Sequence, residues 1–149
     1  MAIEINKPAI DFERDVAVGI DLPMDSFDGS GFALNYASIN QAVANAKNLL
    51  LTNHGERPMR PNFGCNLRGV LFNNSTDQYV EELNETIREN FKIQLPYINI
   101  QKLDVLQSDT NPNLIGISLS VSLIGNEFDT RQIDVTIDND NPATNSTNY

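Results

Sequence analysis

The stretch Ile115-Gly116-Ile117-Ser118-Leu119-Ser120-Val121-Ser122-Leu123-Ile124-Gly125-Asn126 decides the fold. Ile115, Ile117, Leu119, Val121 and Leu123 alternate with Gly116, Ser118, Ser120 and Ser122, and successive side chains of a strand point to opposite faces. One face is therefore apolar and the other small and polar, the pattern of a strand that covers a core on one side only. Gly125-Asn126 is a tight-hairpin signal. The residues beyond it repeat the pattern, with Ile133, Val135 and Ile137 set against Gln132, Asp134, Thr136 and Asp138. Upstream, Ile98 and Ile100 alternate in one phase and Leu103 and Val105 in the other, so a bulge or bend is expected near Gln101. Asp109 to Asn113, with Pro112, reads as the intervening turn.

Two helix patterns precede this sheet. Ser38 with Gln41 has the spacing of a capping box, which satisfies backbone donors left over at a helix start. Ile39, Val43, Ala46 and Leu50, flanked by Ala42 and Leu49, form an apolar stripe at helical spacing. Asn53 and Gly55 are candidates for the left-handed residue that ends this helix. The second helix is expected to open at Ser75, with Gln78 three residues on, and to bury Tyr79 or Val80, Leu83, Ile87 and Phe91. Its opposite side carries Glu85 with Arg88 and Glu89 with Lys92, i,i+3 pairs worth a few tenths of a kcal/mol each. Pro96 closes it.

Nearer the N-terminus, Val16, Val18, Ile20 and Leu22 share one strand face, and Phe32, Leu34 and Tyr36 share another. The turn-rich cluster Asp25 to Gly31 lies between them, so a β-hairpin is expected there. Residues 1–14 read as an extended arm, 15–138 as a single domain, and 139–149 as a polar, flexible tail. The expectation is an α+β fold: two main helices packed on a small antiparallel sheet, with extended termini.

Composition narrows the function. The 149 residues suffice for one domain with a real core, and no apolar run approaches the roughly 20 residues of a membrane span. Twenty acidic against ten basic residues, net charge -10, argue against nucleic acid and against anionic membrane surfaces. No secretion signal is read at the N-terminus, so a cytoplasmic setting is the default. The acids gather at the ends: residues 1–30 hold seven against Lys7 and Arg14, and residues 127–149 hold five against Arg131. Such an asymmetry suits pairing with a basic neighbour or between copies. One cysteine and one histidine offer neither a disulfide nor zinc spacing, so no metal and no cofactor is expected.

Between the helices, Leu49 to Phe72 holds the lone His54, the lone Cys65 and three arginines beside a single acid, Glu56. Pro58 and Pro61 forbid helix and are expected to hold the chain extended. Asn66 is a candidate cap for a short helical turn around Leu67 to Phe72. His54 lacks a nucleophile to serve, and Cys65 lies among Phe63, Leu67 and Leu71, as a packed residue would. Neither phosphate-loop spacing is present at Gly64 and Gly69. Glycoside hydrolysis needs one carboxyl with a raised pKa, whereas Arg57 and Arg60 beside Glu56 would keep it ionised. The arginines read best as contacts to acidic groups, within the protein or on a partner.

Gly55-Glu56-Arg57-Pro58-Met59-Arg60-Pro61 and Phe63-Gly64-Cys65-Asn66-Leu67-Arg68, after Leu49-Leu50-Leu51-Thr52 and between two helices, resemble the baseplate wedge, or sheath-initiator, family of contractile phage tails, whose older label is lysozyme-like. The likeness is strongest over 38–95 and extends to about 138. It implies a sheet similar to the interlocking domain of tail-sheath proteins and a non-enzymatic virion structural protein of the tail baseplate, made in the host cytoplasm. By the same resemblance, Glu56, Arg57, Pro58, Arg60 and Arg68 bind the wedge core-bundle proteins. Ile117, Leu119, Val121, Ile133, Val135 and Ile137 are the expected sheet-edge contacts for arms of the tail sheath protein. Tube-proximal baseplate proteins are further implied neighbours, with multiple copies around the tail axis. Two other readings stay open: a peptidoglycan-degrading enzyme built on the many carboxylates, and an anion-binding module built on the arginines.

Overall fold

A computed structural model describes residues 11, 15–21, 32–71, 78–107, 114–138 and 147–148. Its main sheet has four antiparallel strands in the order β3 (Ile98–Gln107), β4 (Leu114–Leu123), β5 (Asn126–Asp138) and β6 (Thr147–Asn148). The fold is α+β, as its periodicities predict. Ile115, Ile117, Leu119 and Val121 of β4 are each no more than 2% exposed, and Ile133, Val135 and Ile137 of β5 lie beside them in the core. Ser118 and Ser120 on the other face stay partly accessible. The register of β3 against β4 slips between Ile100 and Lys102, which puts the expected bulge at Gln101. The hairpin turn falls one residue earlier than its sequence signal. Leu123 pairs with Asn126, so Ile124 and Gly125 make the corner, and Gly125 takes the positive φ of +90° that this corner needs.

Two helices cover the apolar face. Helix α1 (Ser38–Leu51) lies across β4 and β5, and α3 (Gln78–Gln94) lies against β3. A short α2 (Leu67–Leu71) joins them as expected. The predicted stripes are the buried ones: Ile39, Ala42, Ala46, Leu49 and Leu50 on α1, and Leu83, Ile87 and Phe91 on α3. Each large apolar side chain so buried is worth about 1.5–3 kcal/mol, enough for packing to dominate over local propensity. The start of α3 at Ser75 lies outside the described residues. Its expected Glu85–Arg88 and Glu89–Lys92 ion pairs do not form among the described residues.

Several local expectations are corrected. Ser38 is not a side-chain cap for α1; its own N–H and Oγ donate to Asp11 Oδ1 at 2.8 and 2.7 Å, so a carboxylate 27 positions upstream caps the helix. The expected N-terminal hairpin exists as β1 (Gly19–Ile20) against β2 (Leu34–Asn35), and its apolar residues mostly face outward. Val16, Ile20, Phe32, Leu34 and Tyr36 are exposed, while Asn35 is buried. The Asn35 amide donates to Gln41 Oε1 of α1 at 3.2 Å, and Gly19 admits the same Gln41 side chain where a Cβ would stand 2.1 Å from its oxygen. Polar contacts to the helix therefore set which face turns inward. Of the expected tail, Thr147 and Asn148 pair with Val135 and Asp134, while 139–146 and 149 lie outside the described residues. The expected arm is outside them too, apart from Asp11.

Candidate functional site

The connection from α1 to α2 is a closed, cross-braced loop. Helix α1 stops at Leu51 because Thr52 turns extended, at φ -86° and ψ 131°. Gly55 takes the left-handed conformation, φ +87°, as expected; Asn53 does not. The prolines do not hold an extended run. Arg60 N–H donates to Arg57 O at 3.1 Å and Phe63 N–H to Arg60 O at 3.0 Å, so Pro58 and Pro61 each occupy the second position of a β-turn, where their fixed φ is pre-set for it. Two tight turns in series push Met59 out to 94% exposure.

The base of the loop is tied at four points. Gly55 N–H donates to Pro61 O at 2.8 Å and Cys65 N–H to Leu49 O at 3.1 Å. His54 Nε2 donates to the Gly64 carbonyl at 3.0 Å, so the lone imidazole is a brace. Gly64, at φ +112°, lies so close to α1 that a Cβ there would stand 2.2 Å from the Thr52 carbonyl oxygen. Cys65 is fully buried, and burial pushes its thiol up to about 12. A neutral, inaccessible thiol is a packed residue and not a nucleophile.

Glu56 is held differently from the expected arginine network. Its Oε2 accepts from Asn53 N–H at 2.9 Å and its Oε1 from Asn53 Nδ2 at 2.8 Å. These bonds, more than the nearby Arg68 charge, keep its carboxyl below the usual range. Asn53 was missed as a site residue, although an Asn followed three positions later by Glu has the reciprocal capping spacing. Phe63 was missed as well: the Arg57 guanidinium lies over its ring, 4.2 Å from the centroid, while the ring itself is 6% exposed. Arg57, Pro58, Met59 and Arg60 line a shallow hollow of about 360 Å³. Arg68, on α2, is half-buried near Glu56. The loop thus carries Glu56, Arg57, Pro58 and Arg60, with Arg68 of α2 near Glu56.

Ile117, Leu119, Val121, Ile133, Val135 and Ile137 are not edge contacts. All six side chains are buried in the core, and β4 is flanked on both sides, by β3 and β5. Their alternation marks the inner face of the sheet and carries no information on which strand lies outermost. Among the described residues no group of three or more His, Cys, Asp or Glu side chains could hold a metal.

A sequence model of the family described as baseplate wedge protein gp25 matches residues 37–127, which span the loop, both long helices and the first two strands of the main sheet. The chain belongs to that family. Membership gives it a structural role in the baseplate of a virion or phage-tail-like particle, among other baseplate components and in multiple copies. Among solved structures, a chain of the anti-feeding prophage baseplate, six-fold symmetrised, shares the fold with a TM-score of 0.60 at 20% identity, over 70% of this chain and 82% of that one. A Geobacter sulfurreducens protein provisionally named a tail lysozyme aligns with a TM-score of 0.58 at 18% identity, over 68% of this chain and 92% of that one. No curated protein matches the chain in sequence.

Proposed function

We propose that this baseplate wedge protein is a docking piece that starts the tail sheath. In this reading residues 15–138 form the working domain. Glu56, Arg57, Pro58, Arg60 and Arg68 attach it to the wedge core bundle, and its sheet accepts extended arms from the first ring of sheath subunits by β-augmentation. The observation that carries the attachment is the loop geometry. Two proline turns, two backbone hydrogen bonds, the His54 brace and the close approach of Gly64 to Thr52 fix the loop that carries Arg57 and Arg60 before any partner arrives, which lowers the ordering entropy a contact must overcome. Arg57 also lies on Phe63 with its fork pre-oriented, a form suited to a carboxylate partner. The experiment is co-purification of the Arg57→Ala variant with the other wedge proteins. Loss of association with retained folding is expected; undiminished co-purification removes the loop from the interface.

The same reading makes the protein no enzyme. A glycosidase acid needs a carboxyl whose pKa is raised by its surroundings, and Glu56 is shifted the opposite way by Asn53. Purified protein should leave cell-wall suspensions turbid. Clearing that disappears in Glu56→Gln would establish a hydrolase instead.

A further inference from the structure

Two exposed apolar surfaces lie outside the arginine loop, and they carry opposite charge. The first is the outer face of the N-terminal hairpin. Its register sets Ile20 beside Leu34. Gly19 and Asn35 face Gln41 of α1, so alternation turns Ile20, Phe32, Leu34 and Tyr36 away from that helix. All four are exposed, Phe32 to 58%. An apolar patch built of neighbouring strand residues marks a contact site. Residues 15–36 also hold Asp15, Asp21, Asp25 and Asp28 and no Lys, Arg or His, and Asp15 is itself exposed.

The second is a groove of about 310 Å³ where the C-terminal half of α3 meets the start of β3. Phe91, Ile98 and Ile100 form its apolar wall, Ile124 stands beside it at the β4–β5 corner, 66% exposed, and Arg88 and Lys92 line it. Its lining includes no acid. Neither cation makes an ion pair or hydrogen bond among the described residues, although Glu85 and Glu89 lie at helical spacing, so both remain available to an incoming carboxylate. The two surfaces sit on opposite flanks of the molecule. The hairpin shares a cleft with α1 and with Arg131 and Gln132 of β5, whereas the groove is built on β3, and β4 separates those two strands. They therefore cannot meet within one molecule.

We propose that a second copy of this chain covers both surfaces: the outer face of one copy's hairpin packs into the α3–β3 groove of the next. Charge selects this pairing, because two hairpins face to face would bring two sets of acids together, whereas the groove meets them with Arg88 and Lys92. Each copy offers one hairpin and one groove, so the contact is head-to-tail and continues from copy to copy, into a ring if the rotation closes. A net charge of -10 per copy opposes it, but that repulsion is screened over about 8 Å at physiological salt, and the apolar contact is not. Side-chain faces make the contact. It uses no strand edge and no residue of the arginine loop, so it stands apart from attachment to the wedge and the sheath.

The test is sedimentation of the purified full-length protein over a concentration series to about 1 mM, with two variants. Phe32→Asn spoils the hairpin face and Ile124→Asn the groove. Both side chains are exposed, and Asn before Gly125 is a favoured turn pair, so folding persists. The wild type should self-associate, and each variant should do so at least about tenfold more weakly. An equimolar mixture of the two should recover a one-to-one dimer, because one variant supplies an intact hairpin and the other an intact groove. Arg88→Gln with Lys92→Gln should weaken association as well. A wild type that stays monomeric throughout, or a mixture that does, would overturn the proposal. So would association lost in Phe32→Asn but kept in Ile124→Asn, since the hairpins would then be pairing with each other.

Discussion

Cys65 shows how much a single buried atom can report. Its thiol is walled off between α1 and α2, and its pKa rises from 9.0 to about 12 through desolvation alone. In the unfolded chain the same thiol ionises near its ordinary value. Because the folded pKa is the higher one, the associated stability is complete below about pH 9 and is lost as pH climbs toward 12. Comparison with Cys65→Ala isolates this effect, since the variant has no thiol to titrate. At neutral pH the wild type should be the more stable, because alanine leaves a void. Above pH 9 the gap should narrow by up to about 1.4 kcal/mol per pH unit in denaturant melts. A gap that stays constant from pH 7 to 10.5 would mean that Cys65 is solvated in the native state.

At the scale of elements, the loop 53–64 makes a comparison between two glycines decisive. Gly55 and Gly64 both have positive φ, but a Cβ at Gly55 would meet open space and one at Gly64 would strike the Thr52 carbonyl. Gly55→Ala should therefore cost only the backbone strain, about 1–2 kcal/mol. Gly64→Ala adds the displacement of the loop from α1, so it should cost more in thermal melts and should also weaken wedge association. Equal costs would show that the loop does not lean on α1. Elements whose sequence period coincides with burial are the legible ones: β4, β5, the stripes of α1 and α3, and the bulge at Gln101. The N-terminal hairpin has a clear period too, yet most of its apolar residues face outward, because the Asn35–Gln41 bond and the fit of Gln41 over Gly19 depend on where α1 lies. The Asp11 cap of α1 was hidden for the same reason, across 27 positions. Within the site, the residue types were readable and their partners were not. Glu56 pairs with Asn53 rather than with an arginine, and Arg57 leans on an aromatic ring six positions away.

For the molecule as a whole, the net charge of -10 and the arginine loop act over different distances. Screening at physiological salt sets in over about 8 Å, so an approaching acidic docking surface first meets the repulsion of the whole chain. In the proposed attachment, Arg57, Arg60 and Arg68 outweigh it only at contact. Added salt should thus speed the encounter by screening the repulsion and also loosen the bound state by weakening the arginine contacts. In binding kinetics with immobilised wedge complex, raising salt from about 50 to about 300 mM should increase both the association and the dissociation rate, the second by more. Arg57→Ala should raise dissociation at low salt and leave association nearly unchanged, because removing one charge makes a net charge of -10 only slightly more negative. An association rate that falls steeply with salt would show that the loop steers the partner from a distance, and that the acidic ends of the chain lie away from the docking path.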